Sequence, residues 1–153
     1  MEIDVRIAAA GFDPAALLAG FTARNPLAGG IVNFLGQVRG DGAVEALELS
    51  HFEPLTLPEM KALAATAGRR WPLCGVLIVH RTGLMQPVDL IVLVAAAARH
   101  RRDAFLAADF MMDHLKSDAW FWKREKTAGQ WRWVEPREQD RADIGRWART
   151  DPD

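Results

Sequence analysis

Residues 90–125 read LIVLVAAAARHRRDAFLAADFMMDHLKSDAWFWKRE, and this stretch decides the fold. Leu90 to Ala97 is an unbroken apolar run, the pattern of a strand buried on both faces. Arg99-His100-Arg101 ends it. A helix is then predicted from about Arg102 to Ser117, with Phe105, Ala108, Met112 and Leu115 on one face. Trp120 to Glu125 reads as a further strand. Lys116 falls on the helix end and Lys123 in the aromatic strand, which can aim two ammonium groups into one pocket. In that strand Lys123 shares a face with Phe121 and Glu125, while Trp122 points the other way.

Upstream, Glu2 to Ala8 alternates as a first strand. Asp13-Pro14 opens a helix through Thr22, with Asp as cap and Pro in the first turn. Gly30 to Val38 and Ala43 to Phe52 read as strands joined by the Arg39-Gly40-Asp41-Gly42 loop, hence as hairpin partners. Thr56 and Glu59 have capping-box spacing and predict a helix to Ala67, stopped by Gly68 and Trp71-Pro72. Gly75 to Arg81 is a buried strand, and Gly83 to Pro87 a turn. Downstream, Trp120–Glu125 and Gln130–Glu135 flank Lys126-Thr127-Ala128-Gly129 as a hairpin, across which Glu125 and Glu135 could face each other. Strands and helices mix without regular βαβ alternation, so the class is α+β.

At 153 residues, 50% hydrophobic and 25% charged, the chain is expected to form one domain over residues 1–140, with a charged tail or docking arm over 141–153. Nineteen Lys and Arg balance 20 Asp and Glu. Cations gathered in one stretch of a balanced chain suit a small anion and argue against a nucleic-acid partner. Leu90 to Ala98 is too short to span a bilayer, and the acidic start Met-Glu-Ile-Asp does not look like a leader. One cysteine, Cys74, allows no internal disulfide and is read as a core residue. These features together predict a cytoplasmic protein with no membrane partner. Five of the six Trp lie in the last third, as a packed sheet or an aromatic surface.

The candidate site residues carry anion and proton chemistry. Arg99-His100-Arg101 lies where a strand yields to a helix N-terminus, a favourable place for phosphate, the alternative being a solvated turn whose arginines pair with Asp103 or other acids. Gly36-Gln37-Val38-Arg39-Gly40 pairs glycines with one Arg and allows close approach of a ligand, although an exposed hairpin turn is the plainer reading. A lysine beside other cations and apolar rings can have its pKa lowered and become a usable acid or base, although a plain surface lysine is the commoner reading. His51-Phe52-Glu53 echoes a zinc deaminase motif but has no C-x-x-C to complete it. The four histidines show no metal-ligand spacing, and His80 is read as structural.

Taken in order, these residues resemble the large, catalytic subunit of molybdopterin synthase. The matching pieces are Phe34-Leu35-Gly36-Gln37-Val38-Arg39, Arg70-Trp71-Pro72, His80-Arg81-Thr82-Gly83, Ala98-Arg99-His100-Arg101, Ala104-Phe105, Met112-Asp113-His114-Leu115-Lys116, Phe121-Trp122-Lys123-Arg124-Glu125 and Trp133-Val134-Glu135. The resemblance covers about residues 3 to 140. It implies an α/β hammerhead with an additional smaller antiparallel β region. It also implies a homodimer within a heterotetramer, each copy served by a small ubiquitin-like carrier ending in a Gly-Gly thiocarboxylate. The implied substrate is cyclic pyranopterin monophosphate, which receives two sulfurs to form the dithiolene of molybdopterin. Lys116 and Lys123 would be catalytic. Arg39, His100 and Arg101 would hold phosphate and pterin, with Gln37, Val38, Arg124 and Glu125 in the same pocket. Arg137 matches a further basic position, in its own or the neighbouring pocket. The nucleophile comes on the partner, so no cysteine, metal or cofactor is required of this chain. The rival readings are a phosphate- or nucleotide-binding module without chemistry and a protein-interaction scaffold. Gln37 stands where a basic residue is common, and Ser50-His51-Phe52-Glu53 replaces a Tyr-containing stretch.

Overall fold

The computed structural model describes residues 1–117 and 120–149. Its elements are β1 (Glu2–Ala8), α1 (Pro14–Arg24), β2 (Gly30–Gln37), β3 (Ala46–His51), α2 (Glu53–Arg70), β4 (Leu73–Arg81) and β5 (Gly83–Met85). They continue with β6 (Leu90–Ala98), α3 (Arg101–Ser117), β7 (Phe121–Thr127), β8 (Gln130–Val134), α4 (Glu138–Gly145) and a 3-10 turn at Arg146–Arg149.

Two four-stranded sheets result, ordered β1-β4-β6-β2 and β5-β3-β7-β8. In the first, β1 runs parallel to β4 while β4–β6 and β6–β2 are antiparallel. Its central strands β4 and β6 are the two continuous apolar runs, because both of their faces are covered. Val76, Ile78, Val92, Val94 and Ala96 face α2 and α3, while Leu77, Val79, Leu93, Ala95 and Ala97 pack around Phe21 of α1. Half-buried Cys74 lies against this second cluster. The result is an α+β domain with a helix–sheet–helix body and a smaller sheet attached.

Several local expectations are corrected. The strands β2 and β3 are not hairpin partners. β2 pairs with β6 in the first sheet, and β3 sits between β5 and β7 in the second. The helix α2 begins at Glu53, and Thr56 does not cap it. The Thr56 hydroxyl donates to the carbonyls of Phe52 (3.1 Å) and Trp120 (2.9 Å), tying the helix to the start of β7. Nor does Gly68 end α2: a Cβ there would lie 2.2 Å from the Met1 methyl, so glycine admits the N-terminus against the helix. The buried face of α3 is Ala104, Ala107, Ala108, Met111 and Leu115, with Phe110. Phe105, expected on it, is 55% exposed. It borders a groove with Val32, Phe34 and Met112 beside the unpaired edge of β2.

The β7–β8 hairpin forms as expected, closing on Ala128-Gly129 with positive φ at both (50° and 74°), as a two-residue primed turn requires. Glu125 stands opposite Arg132, not Glu135. The segment read as a tail or docking arm docks onto its own chain as far as it is described. Trp147 is buried edge-on against Trp71 and Phe110, and its indole N–H donates to Asp113 at 2.6 Å. Arg146 also binds Asp113. The last residues, 150–153, lie outside the described residues. No helix among the described residues is long and apolar enough to cross a membrane.

Candidate active site

The site is built where the end of α3 meets the inner face of the second sheet. Alternation along β7 puts Phe121, Lys123 and Glu125 on that inner face, opposite His51, Leu49 and Leu47 of β3. Phe121 anchors the strand, for its ring stacks on that of His80 at 3.9 Å. His80 is buried, and its Nδ1–H donates to the Arg81 carbonyl at 3.0 Å. Burial pushes its pKa down to about 4, with the Lys116 and His51 charges acting in the same direction. His80 is therefore a neutral ring at the back of the site.

Lys116 occupies the last turn of α3. The residue is exposed as a whole, yet desolvation by the surrounding protein is the largest influence on its ammonium and lowers its pKa. The Lys123 charge lowers it further, as do Arg137 and Arg39, while Asp140 opposes them. Lys116, Lys123, Arg39 and Arg137 thus lie within electrostatic reach of one point. Lys123 is half-exposed, with its Nζ 3.5 Å from a Glu125 oxygen. A lysine whose charged form is disfavoured holds more neutral amine near neutral pH and so exchanges protons more readily.

The other candidates separate. Val38 is buried at the end of β2 and Arg39 follows it at the surface, with exposed Gln37 before them. Arg124 is turned to the opposite face from Lys123: it pairs with Glu48 at 2.8 Å and lies over the rings of Trp131 (4.5 Å) and Trp133 (5.9 Å). That outer face, with Trp122 half-exposed, is where three of the tryptophans of the last third, Trp122, Trp131 and Trp133, gather. Arg137 is tied to Asp140 through its backbone N–H and its guanidinium. The Ser117 hydroxyl donates to the Asp140 carbonyl at 2.5 Å, which pins the start of α4 to the end of α3.

His100 and Arg101 stand at the other end of α3. Fifteen residues of helix separate Arg101 from Lys116, about 22 Å at 1.5 Å per residue. Their turn is fixed by Gly29, where a Cβ would lie 2.3 Å from the Arg99 carbonyl oxygen. One chain therefore does not bring His100 and Arg101 to the lysines.

Two neighbours of the lysines escaped sequence reading. Asp140 could have been found from its i+3 spacing to Arg137. His51, which the incomplete zinc motif does not explain, sits on the inner face with a buried Nδ1 that no group among the described residues satisfies. No group of three or more potential metal ligands occurs among the described residues.

Comparison with known proteins places this geometry. The family model described as MoaE protein matches residues 7–118. The molybdopterin synthase catalytic subunit of Cereibacter sphaeroides is 49% identical over 121 residues, covering 78% of this chain and 83% of that protein. The protein of the same name from Pseudomonas aeruginosa is 43% identical over 146 residues, covering 94% and 97%. Among solved structures, molybdopterin cofactor biosynthesis protein E from Burkholderia multivorans has a TM-score of 0.82 at 45% identity, covering 97% of this chain and 98% of that one. A complex of subunits 1 and 2 of molybdopterin-converting factor from Helicobacter pylori shares the fold, at TM-score 0.69 and 18% identity over 89% of this chain and 90% of that one. With the family model spanning most of the chain and 83% and 97% of these two relatives covered, the chain belongs to the MoaE family of molybdopterin synthase catalytic subunits.

Proposed function

We propose that Lys116 and Lys123 carry out the proton and charge chemistry of sulfur transfer from a thiocarboxylated small ubiquitin-like carrier to cyclic pyranopterin monophosphate, in the cytoplasm. The observation that carries this reading is the lowered pKa of Lys116 beside the Lys123 charge. Opening a cyclic phosphate and replacing oxygen by sulfur builds anionic intermediates and requires proton delivery. A lysine with a depressed pKa suits the proton transfers, and fixed cations at Lys123 and Arg39 suit the anions. A module that only binds phosphate has no need of such a lysine. The Helicobacter pylori neighbour is a two-subunit complex, which supports a carrier partner here.

Substrate binding by Arg39, His100 and Arg101 together calls for a second copy of the chain. The helix length argues that His100 and Arg101 reach the lysines of a partner, not their own. Arg137 stands close enough to its own Lys116 to act on it, which favours a role in its own pocket. The reading is therefore a homodimer with two shared sites, each taking one carrier tail beside Lys116 and Lys123. The test is to combine the chain with thiocarboxylated carrier and the cyclic pterin, and to assay for molybdopterin. Product is expected; none, with both reagents verified, rejects the enzyme reading.

A further inference from the structure

The turn between β5 and β6 holds a conformation its sequence disfavours. Gln86-Pro87-Val88-Asp89 closes with the Asp89 N–H donating to the Gln86 carbonyl at 3.1 Å, and Val88 has φ of 65°. Positive φ at the third position is the demand of a type II turn, normally met by glycine or asparagine. A β-branched residue is a marked outlier there. Val88 is also 64% exposed, so burial of its own side chain does not compensate for the strain.

What this turn grips is the residue before Arg39. The Val38 N–H donates to the Asp89 carbonyl at 2.9 Å, and the Val88 N–H donates to the Val38 carbonyl at 2.8 Å. On the other side of Arg39, a Cβ at Gly40 would come within 2.9 Å of Val88 Cγ1. The Val88 side chain therefore covers Gly40 while its backbone holds Val38. The turn itself is braced: Asp89 Oδ2 accepts the Gln86 N–H at 2.8 Å and lies 3.4 Å from Arg81. Beyond Gly40 the chain enters the irregular segment before β3, so this bracket holds the backbone on both sides of exposed Arg39.

We infer that Val88 is a positioning residue, whose left-handed backbone and side chain clamp Val38 and Gly40 on either side of Arg39 and so fix the backbone from which that side chain reaches the substrate. The inference rests on the reading of Arg39 as a substrate-binding residue. The strain is retained because a glycine at 88 would make the same turn but leave Gly40 uncovered. Local strain of this kind collects at sites whose geometry must be held.

The experiment uses the full chain with thiocarboxylated carrier and the cyclic pterin, and two readouts. Val88→Gly should raise the melting temperature, speed amide hydrogen exchange at residues 38 and 88, whose N–H groups make the bonds of the clamp, and raise KM for the pterin about 5- to 10-fold with kcat within about 2-fold. Gly40→Ala should also raise KM, because its methyl group meets Val88. The double variant Gly40→Ala/Val88→Gly should fall closer to wild type than either single change, since the new methyl fills the vacated space. Unchanged exchange in Val88→Gly overturns the clamp. Faster exchange with unchanged KM overturns the positioning role, provided Arg39→Ala raises KM. If Arg39→Ala leaves KM unchanged, the reading of Arg39 fails instead, and the exchange rates alone decide whether the clamp exists.

Discussion

The imidazole of His80 lies 3.9 Å from the ring of Phe121, tilted by only 16°. The pair joins the last turn of a core strand to the strand that bears Lys123, and it keeps a titratable ring out of water. The folded pKa of His80, about 4, is below the ordinary 6.5, so the unfolded chain takes up the proton more readily. Stability contributed by the neutral ring is then complete above pH 6.5 and lost as pH falls toward 4. The loss should approach about 3 kcal/mol once pH is below both values. Urea denaturation of wild type and His80→Gln between pH 4 and 7 measures it. The wild type should show the steeper decline on acidification, and parallel curves would refute the assignment.

Lys116 should report its environment in two ways. Lys116→Ala should reduce turnover on the order of 100-fold, whereas Lys123→Ala should abolish it while carrier binding persists. In the pH–rate profile, an inflection from Lys116 should lie below the ordinary lysine value. Replacing Lys123 by Gln should move the Lys116 pKa upward, because the second-largest depressing influence is removed. The stability sign follows from the same shift. The unfolded chain holds this proton more tightly, so stability rises with pH between the folded and unfolded pKa values. Amine titration by NMR separates the two lysines.

Trp147 should prove structural despite its place near the end of the sequence. Its ring meets Trp71 and Phe110 edge-on, and its N–H is bound by Asp113. Trp147→Ala should destabilise the domain by about 3–5 kcal/mol, read as a lower denaturation midpoint. Trp147→Phe, which keeps most of the packing and loses the hydrogen bond, should cost less. A truncation after residue 145 with unaltered stability would contradict the docking.

Mixed dimers test the shared site. Isolated mixed dimers of a His100→Ala chain with a Lys123→Ala chain should recover about half of the wild-type activity per dimer. In each mixed dimer both defects fall in one site and the other stays whole. The pairing of Arg137→Ala with Lys123→Ala should give no recovery, because Arg137 belongs to the pocket of its own Lys116. Recovery in the second pairing and none in the first would reverse the assignment.

Most of the body was legible in the sequence because its signals are local. The apolar runs of β4 and β6, the Asp13-Pro14 start of α1 and the β7–β8 hairpin needed no distant partner to be recognised. Strand pairing was less legible. Ala43 to Phe52 follows Gly30 to Val38 after a short loop, yet β6 offers β2 a longer apolar surface and the two strands part into different sheets. The stripe on α3 was misplaced by its large residues. Phe105 outranks Ala104 in hydrophobicity, but small alanines are what let the helix approach β6 and β2 closely. At the site, alternation correctly put Lys123, Phe121 and Glu125 together. It also required Arg124 to face away, which the shared motif obscured. Helix rise alone sets His100 far from Lys116, whereas the approach of α4 to α3 depends on Ser117 and Asp140, which no periodicity marks.

The docking of Trp147 also orders events at the ribosome. Arg70 holds the Trp147 carbonyl across a separation of 77 residues, and the indole completes a wall that Trp71 and Phe110 begin. A nascent chain that has emerged only as far as β8 can pair its strands but leaves that wall open to water. Its aromatic edges are then sticky to other chains until α4 and the Arg146–Arg149 turn are released. A pause in synthesis between β8 and Trp147 should therefore favour aggregation more than an earlier pause would, and Trp147→Ala should show the same tendency in the finished chain.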